Sequence, residues 1–369
     1  MTPQRYLMAW MILLLAWPMP VIAAPAAAPD QTTRLWRLAA QEQAALEQRG
    51  VVLHDASLSS YLQTVAERLW EQVPTDLNTP TVNVVMDPRM QAYAYPNGYC
   101  FLSTGILNQV ENEDQLAMIL AHEMVHYLRQ HTAALYNHFQ MTSHGTGLPY
   151  ADQSQAAGEL AMKQKIDAAE CQADVEGLAI LKAAGYCEAE VLSLMSNLLN
   201  SLQDQGSGET VGRLESRIKT MKTRIGPKRD RVSCTSAIDG NPDLFLNRIA
   251  PAMMANAQAA LTFGDWNQAD QSISKFLALK PDDARAHYIK GEVLRRRNDG
   301  DGKNQCIGSY LKALKIDPAF PSAHRALGEL HFKAGRFQTA KPYFEAFLSL
   351  APQDGSREFI KGYLRQCRD

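Results

Sequence analysis

The sequence has no CxxC pair, and none of its six cysteines precedes Cys100. The first absence removes a zinc ribbon and a thioredoxin-type redox site. The second removes lipid attachment to a cysteine near the N-terminus. Charge of one sign is also missing: 37 Lys and Arg stand against 39 Asp and Glu, a formal net charge of -2. No basic surplus therefore points to nucleic acid. Nothing after residue 30 is apolar enough to span a bilayer. The balance of 46% hydrophobic and 21% charged residues belongs to a globular protein, neither disordered nor multi-spanning. A chain of 369 residues predicts about two domains.

What is present begins with an address. Arg5 is the only charged side chain before Asp30, an apolar run extends from Leu7 to Trp17, and Pro18, Pro20 and small residues follow to Ala28. This reads as a secretory signal peptide over residues 1–28, and so predicts an exported protein; a membrane-spanning helix needs about 20 apolar residues. Export permits bridges among Cys100, Cys171, Cys187, Cys234, Cys306 and Cys367, with no pairing fixed by spacing.

Leu58, Leu62, Val65 and Leu69 lie on one helical stripe. Thr81–Met86 is β-branched and short, a strand. Asn97-Gly98 between the aromatic runs of residues 90–104 predicts a hairpin with positive φ at both turn positions, and Pro96 puts it toward a sheet edge. A helix is expected from Asn112, its cap, to about His131, and a second from about Ala156 to Ala184, ended by Gly185. The polar stretch Thr142–Gly158 between them reads as a functional loop. Further helices are expected over Leu192–Leu202 and Arg213–Ile225, with a break at Gln203–Gly212. Past residue 250 the texture changes. Pro281, Pro318 and Pro352 each end a pair of short helices. Leu327, Gly328, Ala340, Phe344 and Pro352 have tetratricopeptide spacing, Gly291, Tyr310 and Ala313 echo it, and Ser356–Arg368 reads as a capping helix. The expected division is 1–28, 32–248 and 249–369.

The chemistry lies in Leu116–Leu128. Apart from His122, Glu123 and His126 this helix is apolar nearly all round, so it should be buried. Two imidazoles and a carboxylate buried without partners would cost several kcal/mol. His122 and His126, four apart, project from one face and can share a metal, with Glu123 in reach of a water beside it: the HExxH arrangement of zinc hydrolases. A catalytic zinc keeps three protein ligands and an open position. Candidates for the third are His131, His138, His144, Glu159, Glu170 and Glu176. Glu170 is favoured because Ala168, Ala169, Ala173 and Gly177 let two helices approach closely. Asp174, one turn on, can accept the outer N–H of a ligating His. His131, His138 and His144 read as exposed or lid residues.

His122–His126, the segment Glu170-Cys-Gln-Ala-Asp174-Val-Glu-Gly177 and the hairpin Ala92–Leu107 together resemble the HtpX/Ste24-type zinc metallopeptidases. Within them the chain resembles the periplasmic BepA-like branch with a tetratricopeptide tail. The resemblance implies a mostly α, zincin-like α+β domain with a small antiparallel sheet, followed by an all-α solenoid. It implies one zinc per chain on His122, His126 and Glu170, and Glu123 as general base. One departure stands out: where the family usually has a Thr-His-Pro step, this chain has Thr210-Val211-Gly212. Arg217 after it is retained, and is expected to contact substrate or the oxyanion.

An extended substrate is expected to add as a strand along Tyr99, Cys100, Phe101, Leu102 and Ser103. The implied substrates are unfolded or misassembled envelope proteins, with the repeats docking substrate or outer-membrane assembly machinery. The alternative is a chaperone-like peptide-binding module with an idle metal site.

Overall fold

The computed structural model describes residues 29–134, 151–204, 208–226, 242–297 and 302–367. Residues 1–28, His138, His144, Cys234, most of the expected 142–158 loop and residues 298–301 of the 298–304 turn lie outside them. The chain forms two compact units, Met1–Ala252 and Met253–Asp369. No described helix is long and apolar enough to cross a membrane.

The first unit opens with α1 (Pro29–Gln48) and α2 (Ala56–Trp70). Asp55 caps α2, its carboxylate accepting from the Leu58 N–H at 2.8 Å. The stripe Leu58, Leu62, Val65 and Leu69 is buried, as its spacing predicts. Three strands follow: β1 (Thr81–Val85), β2 (Ala92–Ala94) and β3 (Tyr99–Ser103). The hairpin forms as expected, with Ala92 opposite Leu102 and Ala94 opposite Cys100. Its turn differs from expectation. Only Gly98 has positive φ, at 87°. Pro96, locked near φ -65°, starts an ordinary turn closed by Gly98 N–H to Tyr95 C=O at 3.0 Å, and Gly98 then takes the left-handed position of a three-residue loop.

The sheet is mixed, not antiparallel throughout. β1 runs parallel to β3, and the strand order is β1-β3-β2. Tyr99, Cys100, Phe101, Leu102 and Ser103 therefore form the middle strand, and the expectation that this strand is a free edge is corrected. The connection between β1 and β2 sets this order. The Gly105 N–H and Thr104 hydroxyl donate to the Asp87 carbonyl at 2.9 and 3.0 Å, and the Ser103 hydroxyl donates to the Arg89 carbonyl at 2.6 Å. These bonds tie the connection across the end of β3, so β2 forms on the far side.

Helices α3 (Thr104–Leu107), α4 (Glu113–Leu128), α5 (Ala151–Ala183), α6 (Ala189–Asp204) and α7 (Gly208–Ile225) complete this unit, with the first turns of α8 (Pro242–Phe263). α5 starts at Ala151, inside the stretch read as a loop, because residues 151–157 hold alanines and glutamines and no proline. Thr210-Val211-Gly212 is likewise helical: without proline nothing bars the helix from starting at Gly208. Gly185, at φ 81°, ends the turn after α5. Cys187 is disulfide-bonded, whereas Cys100, Cys171, Cys306 and Cys367 are thiols.

The second unit is all helical: the end of α8, then α9 (Trp266–Leu279), α10 (Ala284–Arg297), α11 (Gly302–Ile316), α12 (Pro321–Lys333), α13 (Phe337–Leu350) and α14 (Arg357–Gln366). The repeat pattern has a steric basis. Gly291 faces the Tyr310 ring and Gly328 the Phe344 ring so closely that a Cβ at Gly328 would lie 2.6 Å from ring carbons. Ile360 of α14 and Cys367 just past its end are buried with Phe344 and Phe347, which closes the apolar end of the stack.

Candidate metal centre

α4 forms because Asn112 caps it, accepting from the Gln115 N–H at 3.0 Å while Gln115 Oε1 accepts from the Glu111 N–H at 2.9 Å. Every residue from Asp114 to Tyr127 is buried. Leu116, Leu120 and Met124 have no exposed surface, and each contributes about 1.5–3 kcal/mol by its burial. This apolar face holds the helix while its polar face carries His122, Glu123 and His126.

α5 supplies the facing groups. Ala169 and Ala173 are wholly buried, and a Cβ on Gly177 would stand 3.1 Å from the His122 backbone nitrogen. The helices approach as closely as the small residues allow. Glu170 and Asp174, one turn apart on α5, then meet the histidines. His122 Nε2 and His126 Nε2 lie 3.1 Å apart. Glu170 Oε2 is 3.5 Å from His122 Nε2, and its Oε1 is 3.4 Å from His126 Nε2. His122 Nδ1 lies 3.0 Å from Asp174 Oδ1.

The arrangement fits a divalent cation. Asp174 accepts the Nδ1–H of His122, which turns Nε2 inward as a ligand atom. Among the described residues Glu170 Oε1, which is buried, takes no hydrogen bond, a costly state for a carboxylate oxygen. The ligand atoms of His122, His126 and Glu170 lie within 4.8 Å of one another, the one such buried group among the described residues. Two imidazoles and a carboxylate are a donor set that zinc accepts.

Arg217 of α7 is bidentate on Asp174, through Nε to Oδ2 at 2.7 Å and Nη2 to Oδ1 at 2.7 Å, and its Nη1 also donates to Glu170 Oε2. Its fork is spent on these carboxylates, so it braces the site where the sequence suggested an oxyanion contact. Burial alone would raise the Glu170 and Asp174 carboxyls. The Arg217 charge and the histidines outweigh it and hold both below their usual values. Burial alone would likewise lower His122, but Asp174 and Glu170 raise it to about 10. Glu123 is pushed up, chiefly by burial, against the pull of His126 and His122.

Of the other ligand candidates, Glu176 is paired with Arg129 at 2.9 Å, and the side chain of Glu159 lies outside the described structure. His131 is buried, not exposed: its Nδ1 lies 3.1 Å from His126 Nδ1 and its Nε2 is 3.3 Å from Gln172 Oε1. Gln130 turns the chain there at φ 52°. A non-glycine residue in that region is not readable from composition, so this neighbour escaped the sequence reading; the spacing of five from His126 was the available signal. Beyond Gln130, Thr132 donates to the Ala94 carbonyl of β2 at 3.1 Å, and Gly98 rests on the Tyr127 ring. The hairpin is thereby held against the helix that carries the histidines.

Residues 56–225 match the model of peptidase family M48, and residues 254–302 and 307–355 match a tetratricopeptide-repeat model. The beta-barrel assembly-enhancing protease of Yersinia pestis is 26% identical over 172 residues, 42% of this chain and 34% of that protein. The mitochondrial metalloendopeptidase OMA1 of Danio rerio is 52% identical over 48 residues, 13% of this chain and 10% of that one. Its human counterpart is 40% identical over 52 residues, 14% of this chain and 10% of that one. The matched segments span about a third of these relatives' lengths at most.

Proposed function

We propose, for a chain that carries a peptidase family M48 domain followed by tetratricopeptide repeats, the function of a zinc-dependent endopeptidase of the bacterial cell envelope. The peptidase occupies residues 32–248 and the repeats 249–369. The observation that carries this reading is the buried convergence of His122, His126 and Glu170, with Glu170 Oε1 lacking a donor among the described residues. Zinc held by these three side chains would supply an activated water and a Lewis acid for the scissile carbonyl.

The chain's own residues do the rest. Glu123 takes the proton from the attacking water and returns it to the leaving amine. A buried carboxylate raised above its ordinary pKa is suited to that work near neutral pH. Asp174 orients His122, and Arg217 keeps Asp174 and Glu170 ionised and aligned. With β3 in the middle of the sheet, the edge open to an extended substrate is the outer side of β2. Ser103 and Tyr95 bond Gln91 and Tyr99 across the hairpin, so by alternation Ala92 and Ala94 direct their backbone groups outward; the Ala94 carbonyl is taken by the Thr132 hydroxyl, which leaves both groups of Ala92 and the Ala94 N–H to pair with substrate. Strand addition there gives affinity with little sequence preference, as unfolded substrates require.

The names of the Yersinia relative and of the repeat model support envelope proteins as substrates and the repeats as a docking surface for them or for outer-membrane assembly machinery. The apolar segment at residues 1–28 supports a periplasmic location. The alternative, a peptide-binding module with an idle metal site, draws on Val211 in place of the family histidine. Casein digestion with and without a chelator, alongside zinc stoichiometry, separates the two. Chelator-sensitive cleavage by protein holding one zinc per chain is expected. Bound zinc without cleavage would favour the module.

A further inference from the structure

The proposed ligands are supported unequally. His122 rests on a carboxylate, Asp174, whereas among the described residues no carboxylate touches the outer nitrogen of His126. His131 stands there instead, Nδ1 to Nδ1 at 3.1 Å. Two facing imidazole nitrogens share one proton, so one ring must donate and the other accept. Which does so decides whether His126 presents a bare Nε2 to a metal.

The hydrogen bonds behind His131 fix the answer. The Glu176 carboxylate is an acceptor only, taking Arg129 Nε–H on Oε2 at 2.9 Å. Its Oε1 faces the Gln172 amide at 2.8 Å, so Gln172 presents its NH2 there. The carbonyl Oε1 of Gln172 must then face His131 Nε2, 3.3 Å away, and His131 carries its proton on Nε2. The His131 Nδ1 is left with a lone pair, which accepts from His126 Nδ1–H. His126 Nε2 is thereby bared toward Glu170 and His122.

We propose that His131 is a positioning residue that holds His126 in the metal-binding tautomer, with Gln172 and Glu176 setting the direction of the chain from the surface inward. This inference rests on the metal-centre reading above. For a neutral imidazole at 131, every donor in the series meets an acceptor only in this one orientation. A His131 protonated on Nδ1 would force His126 to carry its proton on Nε2, which a metal would then have to displace at a cost in affinity.

The test is zinc affinity by chelator competition on the full chain. In His131→Asn the side-chain oxygen can replace Nδ1 as acceptor; in His131→Phe nothing can. Affinity is expected to fall by about 10–100-fold in His131→Phe, and to return to within about threefold of wild type in His131→Asn. Gln172→Leu should fall between them. Equal affinity of His131→Phe and wild type would overturn the proposal, as would equal loss in the Phe and Asn variants. Nitrogen-15 NMR of the wild-type imidazoles gives a readout that no folding defect can move: His126 should be protonated at Nδ1, and protonation at Nε2 in the metal-free protein would overturn the proposal. A wild-type protein that takes up no zinc would refute the metal centre itself, a distinguishable failure.

Discussion

Arg217 and Asp174 form a two-pronged pair, Nε to Oδ2 and Nη2 to Oδ1 both at 2.7 Å, and the same guanidinium also reaches Glu170. One cation from α7 thus steadies both a proposed ligand and the group that orients another. Lys offers one donor point where Arg offers a fork. Arg217→Lys is expected to weaken zinc binding by about 10-fold or more. Arg217→Ala strands two buried carboxylates and should cost about 3–5 kcal/mol of stability in the metal-free protein. Chelator competition and denaturant unfolding of the two variants measure these effects; a Lys variant with wild-type affinity would show that the fork geometry does not matter.

Glu123 is the side chain assigned to proton movement, not to holding the metal. Glu123→Gln keeps its volume and removes its basicity. Peptide cleavage should fall by at least about 10²-fold, with zinc content still near one per chain. Activity close to wild type would remove Glu123 from the reaction.

Gly177 and Gly212 both lie inside helices and should respond with opposite signs to Ala. A Cβ at Gly177 meets the His122 backbone nitrogen at 3.1 Å, whereas a Cβ at Gly212 meets nothing within 4 Å. Gly177→Ala should separate α4 from α5, cost about 1–3 kcal/mol and weaken zinc binding. Gly212→Ala should be stabilising by about 0.5–1 kcal/mol through helix propensity. Thermal melts of the two variants with and without zinc distinguish these responses.

With the metal stripped, stability should follow the site's own titration. His122 is raised from 6.5 to about 10 by Asp174 and Glu170, against burial. A raised group stabilises fully below its unfolded value and progressively less above it. Stability of the metal-free protein should therefore decline from pH 6.5 toward about 10. Glu170 and Asp174 are depressed from 4.5 and 3.8, so their contribution is lost as pH falls below those values. Zinc bound at this site would displace the His122 Nε2 proton, and should flatten the alkaline limb in melts run across this range. An alkaline limb that stays flat without zinc would refute the charged His122–Asp174 pair.

Much of this arrangement was legible in the residues. The i, i+4 histidines, the Ala and Gly run around Glu170 and the Asn-Gly turn act through local spacing, and the structure brings those side chains and strands together. What escaped depends on long-range or rare backbone geometry. The parallel pairing of β1 with β3 comes from bonds between the Met86–Gln91 connection and the end of β3, so Tyr99–Ser103 became a middle strand. The return of His131 depends on Gln130 at φ 52°. The direction of Arg217 depends on how α7 meets α5, which no periodicity encodes. Helix starts at Ala151 and Gly208 were misplaced because polar and small residues read as loop where no proline forbids a helix.

α5 carries Glu170, Gln172, Asp174, Glu176 and Gly177 within little more than two turns. His122 is steered by Asp174 and His131 by Gln172, both on that single rod, and His131 in turn holds His126. The two helices therefore form a clasp: displacing α5 from α4 would release a bound cation and unseat both supporting hydrogen-bond chains together. Loss of the ion and loss of order should then arrive as one event, not as a sequence of partial failures.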